Sequence, residues 1–163
     1  MLMRMSAKPS KRTQQAWIDL NRAHRLLHER IESALKRAGL PPLDWYDALL
    51  ELRRERDTGL RQFQLGERVL LSKHNLSRLI DRLQQKGLVR RHACSEDGRG
   101  NLIRVTAAGE RMLEAMWPVY GKVIEASFGA RLACGEAEEL TRVLGKVLGT
   151  AAGNRIAAKH DDS

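Results

Sequence analysis

The sequence is short of three things: cysteine, aromatic residues and long apolar runs. Its two cysteines, Cys94 and Cys134, are too few for a disulfide framework, which favours a protein of the reducing cytoplasm. Aromatic residues make up 4% of the 163 residues and hydrophobic residues 42%, so we expect a mainly aliphatic core. No stretch approaches the roughly 18 apolar residues of a membrane span, and no apolar run follows the basic N-terminus. We therefore expect neither a membrane partner nor a secretory signal.

Motifs of enzymes and metal sites are also absent. The sequence has no nucleophile motif, phosphate loop or paired-carboxylate pattern, so we expect no enzyme activity and no cofactor. His24 and His28 lie one helical turn apart, a spacing that suits a metal, but no further acid–histidine cluster accompanies them. We expect a hydrogen-bonded or core role for them and no metal. Cys94 follows a basic run that favours a reactive thiolate, yet a packed strand cysteine is the simpler interpretation.

Positive charge is in excess. There are 29 Lys and Arg against 20 Asp and Glu, which gives a formal net charge of +9, and the sequence pI is about 10.1. This balance favours a polyanionic partner, although an acidic protein or a membrane surface would attract the chain too. The length fits one domain with a real core.

The stretch over residues 71–104 organises the rest of the chain. It opens with a predicted helix that has Ser72 as its N-cap and Gly87 as its C-cap. The apolar residues of this helix recur at i, i+3, i+4 and i+7: Leu76, Leu79, Ile80 and Leu83. Strand-like runs over residues 88–94 and 102–105 follow, on either side of a polar turn. Helix, strand, tight loop and strand predict a winged-helix unit.

Helical periodicity extends on both sides of this unit. A long helix is predicted over residues 14–38, with a seam close to heptad spacing: Trp17, Leu20, His24, Leu27, Ile31 and Leu35. Further helices are predicted over residues 43–54 and 63–69, from Thr106 onward, and over residues 136–148. The first and last of these helices need more apolar cover than one small lobe supplies, so we expect a homodimer.

The chain resembles the MarR family of winged helix-turn-helix regulators. The resemblance is carried by LSKHNLSRLIDRLQQKGLVRR, by the loop pair Asp97 and Arg99, and by IRVTAAGE, and it covers roughly residues 17–148. It implies a mostly α-helical fold with a small β wing, in which the N- and C-terminal helices form a dimerisation region. Trp17 and His24 in the first helix, the WYD triplet and LVRR resemble most closely the branch that answers to urate and other small aromatic ligands.

This resemblance divides the chain into five parts. We expect a flexible basic tail over residues 1–13 and an N-terminal dimerisation helix over 14–42. The DNA-binding lobe is expected over residues 43–105, the C-terminal dimerisation helices over 106–150, and a second flexible tail over 151–163.

The expected DNA contacts lie on the predicted recognition helix and on the wing. The helix should enter the major groove with its N-terminal turn leading, where Arg78 could fork onto guanine O6 and N7. The residues expected to contact DNA there are Ser72, Lys73, His74, Asn75, Ser77 and Arg78. Arg99 at the wing tip suits a narrow minor groove, and the family pattern gives Asp97 the role of orienting it.

The resemblance also implies a ligand site between the DNA-binding lobe and the dimerisation helices. Trp17 would stack on a small aromatic effector, a urate-like purine or a phenolic acid, while His24 and Asp47 would hydrogen-bond its ring. An arginine would hold its anionic edge, and the candidates are Arg78, Arg90 and Arg91. Two other interpretations stay open: Asp47 also suits the first turn of a helix, and Trp17 and His24 also suit plain dimer packing.

Together these features predict a cytoplasmic, sequence-specific transcriptional regulator. We expect a repressor that binds a pseudo-palindromic operator in double-stranded DNA as a homodimer and is released by the aromatic effector. The alternative is a winged-helix dimerisation or protein-interaction module without specific DNA binding.

Overall fold

The fold is mostly α-helical with one small antiparallel sheet, as predicted. A computed structural model describes residues 8–69, 73–93 and 101–149. The helices are α1 (Lys11–Arg37), α2 (Leu43–Arg54), α3 (Gln62–Val69), α4 (Lys73–Gln85), α5 (Ala107–Ser127) and α6 (Glu136–Leu148), with a 3₁₀ turn at Gly129–Arg131. The strands are β1 (Leu60–Arg61), β2 (Val89–Ala93) and β3 (Asn101–Val105), in the order β1-β3-β2. No helix in these described ranges is long and apolar enough to cross a membrane.

The chain divides into two compact units. The first, Met1–Ile124, contains α1 to α4, the sheet and most of α5, and the second, Glu125–Ser163, contains the 3₁₀ turn and α6. The core of the first unit is aliphatic, as expected. Its most deeply buried side chains come from every helix of the unit and from both longer strands: Leu35, Leu49, Leu52, Leu65, Leu76, Ile80, Leu83, Val89, Ile103, Leu113 and Met116.

The first helix begins earlier than predicted. It begins at Lys11 because the Ser10 hydroxyl accepts a hydrogen bond from the Thr13 N–H at 3.1 Å and caps the first turn. The expected boundary between tail and helix was therefore wrong by three residues.

The apolar seam of α1 is split along its length. Its last members, Ile31 and Leu35, are buried in the core. Residues 11–26 are all exposed, and they include four large apolar side chains: Trp17, Ile18, Leu20 and Leu26. One end of α1 thus belongs to the core of its own chain, and the rest presents an uncovered apolar face.

A side chain of α1 holds the start of α2. The N-cap of α2 is Pro42, which offers no capping side chain. The Glu32 carboxylate accepts a hydrogen bond from the Leu43 N–H at 2.8 Å instead. This bond satisfies one of the unpaired donors of the helix N-terminus and fixes α1 against α2.

The end of α4 is joined directly to the start of α5. Gly87 has φ +69, and the Leu88 N–H donates to the Leu83 carbonyl at 2.9 Å, which confirms the predicted C-cap. The Thr106 hydroxyl donates to the Gly87 carbonyl at 2.7 Å and accepts from the Gly109 N–H at 3.1 Å. Thr106 therefore caps α5 and ties it to the end of α4.

Candidate nucleic-acid interface and effector site

The helix-turn-helix is formed by α3 and α4. Leu65 of α3 and Leu76 of α4 are both buried, and a Cβ added at Gly66 would lie 3.0 Å from Leu76 Cδ2, so the two helices approach closely. Arg68 of α3 donates to Glu55, beyond the end of α2, at 3.0 Å. This hydrogen bond lowers the pKa of the Glu55 carboxyl. The first helix of the motif is thus fastened to α2 while α4 remains exposed on one side.

The exposed side of α4 is polar. Its apolar stripe is buried as predicted, and the face opposite carries Asn75, Arg78, Asp81, Arg82 and Gln85, all exposed. Ser77 is half-buried. Two of the predicted DNA contacts, Asn75 and Arg78, therefore lie on the free side of the recognition helix.

The other predicted DNA contacts are only partly described. Lys73 and His74 lie in the first turn of α4, and the structure describes their backbone but not their side chains. Ser72, Asp97 and Arg99 lie outside the described residues.

The two arginines that follow the recognition helix point to opposite faces of the sheet. Arg90 pairs with Arg104 across the strands and Arg91 pairs with Ile103. Because successive residues of a strand alternate between faces, Arg91 lies on the same face as the buried Ile103 and Arg90 on the other. A single ligand on one face of the sheet therefore contacts only one of these two arginines, although they are adjacent in sequence.

Arg91 is already bonded to the recognition helix. Its Nη2 donates to Asp81 Oδ1 at 2.6 Å, and its Nη1 donates to Gln84 Oε1 at 2.7 Å. Arg90 is exposed. Arg91 thus has a structural role that its sequence position did not reveal.

An aromatic cluster joins α2 to α5. The ring of Tyr46 lies 6.3 Å from that of Trp117, nearly parallel to it, and 5.0 Å from that of Tyr120, edge to face. Trp117 and Tyr120 are also edge to face, at 5.9 Å. Tyr46 is buried, whereas Trp117 keeps 37% of its surface exposed.

Asp47 lies beside this cluster, in an environment that disfavours its charged form. Partial loss of hydration, followed by repulsion from Asp44, raises the pKa of Asp47 to about 6, although Asp47 is exposed at the surface of the chain. The nearby His28 of α1 has the opposite effect and lowers the pKa of Asp47. Burial raises the pKa of Tyr120 as well, and the charge of Asp47 adds to that shift. His28, Asp47 and Tyr120 therefore converge from α1, α2 and α5.

Only part of the predicted ligand site comes together within one chain. Trp17 is 66% exposed, and it lies eleven residues, about 16 Å, along α1 from His28. The ring of His24 lies 6.1 Å from that of His28, which connects it to Asp47 indirectly. A shallow depression of about 210 Å³ beside Trp17 is lined by residues of α1 alone: Ile18, Asn21, Arg22 and Arg25. Among the described residues, no three His, Cys, Asp or Glu side chains are grouped to hold a metal.

The ligand site predicted from the sequence did not include four residues that lie around Asp47: His28, Tyr46, Trp117 and Tyr120. Two signals could have indicated them. Tyr46 is the middle residue of the WYD triplet, and Trp117 and Tyr120 have the i, i+3 spacing of one helical face. The packing of α5 on α2, however, is a tertiary contact that periodicity does not contain.

Comparisons with known proteins agree on one family. The MarR family model matches residues 38–100. The transcriptional regulator HosA of Escherichia coli O157:H7 is 32% identical over 92 residues, which are 56% of this chain and 67% of HosA. The HTH-type transcriptional regulator MhqR of Bacillus subtilis is 28% identical over 131 residues, 80% of this chain and 88% of MhqR.

Solved structures have the same fold. AbsC, a MarR family transcriptional regulator from Streptomyces coelicolor, aligns with a TM-score of 0.77 and 26% identity over 88% of this chain and 97% of its own. Sco3205 from the same organism, solved in complex with DNA, aligns with a TM-score of 0.80 and 22% identity over 93% and 94% of the two chains. With its helix-turn-helix, its wing and these relatives, the chain belongs to the MarR family of transcriptional regulators.

Proposed function

We propose that this regulator is a homodimeric repressor that binds a pseudo-palindromic operator in double-stranded DNA and is released by a small aromatic ligand. The observation that carries DNA binding is the exposed polar face of α4, on a helix-turn-helix within a chain of net charge +9. The structure of a relative with the same fold in complex with DNA supports this proposal.

On DNA, the first turns of α4 enter the major groove. Arg78 is exposed there, and its planar guanidinium matches guanine O6 and N7. Lys73, His74, Asn75 and Ser77 are the other proposed contacts of the helix, and Asp97 and Arg99 are those of the wing. The half-sites lie about one helical turn, roughly 34–36 Å, apart.

The proposed dimer rests on the exposed end of α1. A contact with a second copy would bury apolar surface of four exposed side chains: Trp17, Ile18, Leu20 and Leu26. Each Å² of apolar surface removed from water stabilises the dimer by about 25 cal/mol. A two-fold dimer of this kind presents two recognition helices, as a pseudo-palindrome requires.

The proposed effector binds near Asp47. A carboxyl with a pKa of about 6 exchanges between donor and acceptor close to neutral pH, which suits a ring that offers N–H or hydroxyl groups. Trp17 and His24 remain the proposed stacking and hydrogen-bonding residues of α1, and His28 and Tyr120 join Asp47 as polar neighbours. A urate-like purine is the first candidate and a phenolic acid the second.

Two arginines remain candidates for holding the anionic edge of the proposed effector. Arg91 already donates to Asp81 and Gln84. Arg78 and Arg90 are exposed, so we assign the role to one of these two.

The experiment has two stages. Selection from a random duplex pool should first yield a pseudo-palindromic operator whose binding weakens steeply with salt. An interaction module would instead select no sequence. The operator complex is then titrated with urate, xanthine, salicylate and hydroxybenzoates, for wild type, Trp17→Phe and Asp47→Asn. Release of wild-type DNA by one of these compounds, weakened in either variant that still binds DNA, supports the effector site. Release that is equal in all three proteins contradicts it.

A further inference from the structure

The bonds of Arg91 form a two-point clamp between β2 and α4. Asp81 and Gln84 are one turn apart on α4, and each accepts from a different terminal nitrogen of the same guanidinium, at 2.6 and 2.7 Å. The Arg91 side chain is 25% exposed and that of Asp81 50% exposed. Because the guanidinium is planar and its donors are fixed in direction, two such bonds constrain the angle between strand and helix as well as their distance.

The clamp spans the glycine that ends α4. Between α4 and β2 the backbone passes through Gly87 at φ +69, in the left-handed region. The connection itself is held by backbone contacts, because the Leu88 N–H donates to the Leu83 carbonyl and the Gly87 carbonyl accepts from the Thr106 hydroxyl. The Arg91 bonds join residues on both sides of Gly87 and add a side-chain restraint farther along β2, two residues beyond the buried Val89.

Asp81 is otherwise out of place on a DNA-reading helix. It lies on the exposed face of α4 with Arg78, where a carboxylate would repel phosphates. Its ion pair with Arg91 offsets that charge and explains why a carboxylate stands at this position.

We propose that Arg91 is a positioning residue that locks the β2–β3 hairpin to the recognition helix, so that both meet DNA as one rigid unit. Asp81 and Gln84 are its partners. The inference rests on the proposed DNA binding, and it concerns how affinity is divided between helix and wing rather than whether binding occurs.

The test compares Arg91→Ala and Asp81→Leu with wild type, and Arg90→Ala is the matched control. Arg90→Ala removes the same charge one residue away, from the opposite face of β2. Affinity is measured for the selected operator with full flanks and for a duplex trimmed to the half-sites, because the hairpin contributes only where flanking DNA is present. Melting temperatures of the free proteins monitor folding.

We expect trimming of the flanks to weaken wild-type binding roughly tenfold. Arg90→Ala should bind both duplexes more weakly but keep the same ratio of affinity for the full duplex to affinity for the trimmed one. Arg91→Ala and Asp81→Leu should both bring the ratio of the two affinities close to one, and the double variant should match either single one. Asp81→Leu is the sharper test, because removal of a negative charge alone would strengthen binding to both duplexes. Leucine has nearly the shape of aspartate and no hydrogen-bond acceptor, so this variant carries the test if Arg91→Ala does not fold.

The outcomes separate the inference from the function it rests on. Failure of the wild type to select or bind any operator overturns the proposed function. A wild type that binds and distinguishes the two duplexes, together with variants that distinguish them equally well, overturns the positioning role of Arg91. A wild type that binds but ignores the flanks overturns it too, because the clamp would then have no wing contact to maintain.

Discussion

The carbonyl oxygen of Leu88 occupies the place that a side chain at Gly109 would need. A Cβ built on Gly109 would overlap that oxygen and lie 2.8 Å from Val105 Cγ2. The same carbonyl accepts a hydrogen bond from the Thr106 N–H at 3.0 Å. The start of α5 therefore packs backbone to backbone on the residue that precedes β2, and only glycine permits that approach.

Gly109→Ala should destabilise the protein by about 1–3 kcal/mol, because a backbone carbonyl moves less easily than a side chain. Gly121→Ala in the same helix is the matched control. A Cβ there would make an ordinary contact, 3.4 Å from the Trp117 ring, and alanine should raise helix stability by about 0.5–1 kcal/mol. Urea unfolding should give shifts of opposite sign. A shift of the same sign and size for both variants would contradict the close approach.

Thr106→Val should cost about 1–2 kcal/mol in the free energy of unfolding. Valine keeps the shape of threonine but loses both the bond to the Gly87 carbonyl and the cap on the Gly109 N–H. Thr106→Ser keeps the hydroxyl and should stay within about 0.5 kcal/mol of wild type. If serine proved as costly as valine in urea unfolding, the methyl group rather than the hydroxyl would be the source of stability.

Asp47 should make stability fall as the pH rises from about 4 to about 6. Its pKa is raised from 3.8 to about 6 in the folded state, so in this window the folded chain binds more protons than the unfolded chain. Above pH 6 the loss of stability that the charged Asp47 causes no longer changes with pH. Asp47→Asn should therefore be more stable than wild type by about 0.5–1 kcal/mol above pH 6, after a discount for solvent screening, and equal to it below pH 4. Urea unfolding of both proteins between pH 4 and 8 measures this difference, and a difference independent of pH would refute the assignment.

Leu20→Glu should convert the proposed dimer into a monomer in sedimentation velocity at micromolar concentration. Leu20 is 42% exposed on the uncovered face of α1, and a buried unpaired carboxylate costs several kcal/mol. Gln15→Glu adds the same charge at an exposed position of the same helix, about 140° around its axis, and should leave the dimer intact. A wild type that sediments only as a monomer would exclude the dimer itself.

Arg78→Ala should reduce operator affinity by about 1–3 kcal/mol and relax sequence choice at one base pair of each half-site. Arg111→Ala removes the same charge from an exposed position on α5 and should leave sequence choice unchanged. Binding measured against operators mutated one base pair at a time distinguishes the two. Uniform weakening across all operators by Arg78→Ala would mean that this arginine contacts only phosphate.

Local signals in the sequence predicted the elements well, and contacts between elements poorly. The bounds of α2 and α6 agree with their predicted ranges because each has a clear apolar period, and because Pro42 precedes α2 and Gly149 ends α6 in the left-handed conformation. The strand β1 was missed, because two residues are too few to show alternation. The Arg91 clamp and the aromatic cluster join residues from different elements, whose relative placement is set by packing of the core. The division of Arg90 and Arg91 between two faces follows from strand alternation and was open to prediction.

Because α1 is held only at its C-terminal end, a small tilt there moves its N-terminal end much farther. Ile31, Leu35 and the Glu32 bond hold its C-terminal part, while residues 11–26 are exposed. Sixteen helical residues extend about 24 Å, so a tilt of about 5° near His28 moves the far end by about 2 Å. Hydrogen bonds tolerate only a few tenths of an ångström. A small rearrangement beside Asp47, too slight to disturb the core, would thus displace the tip of α1 by several times the distance that a hydrogen bond to a group outside the helix tolerates.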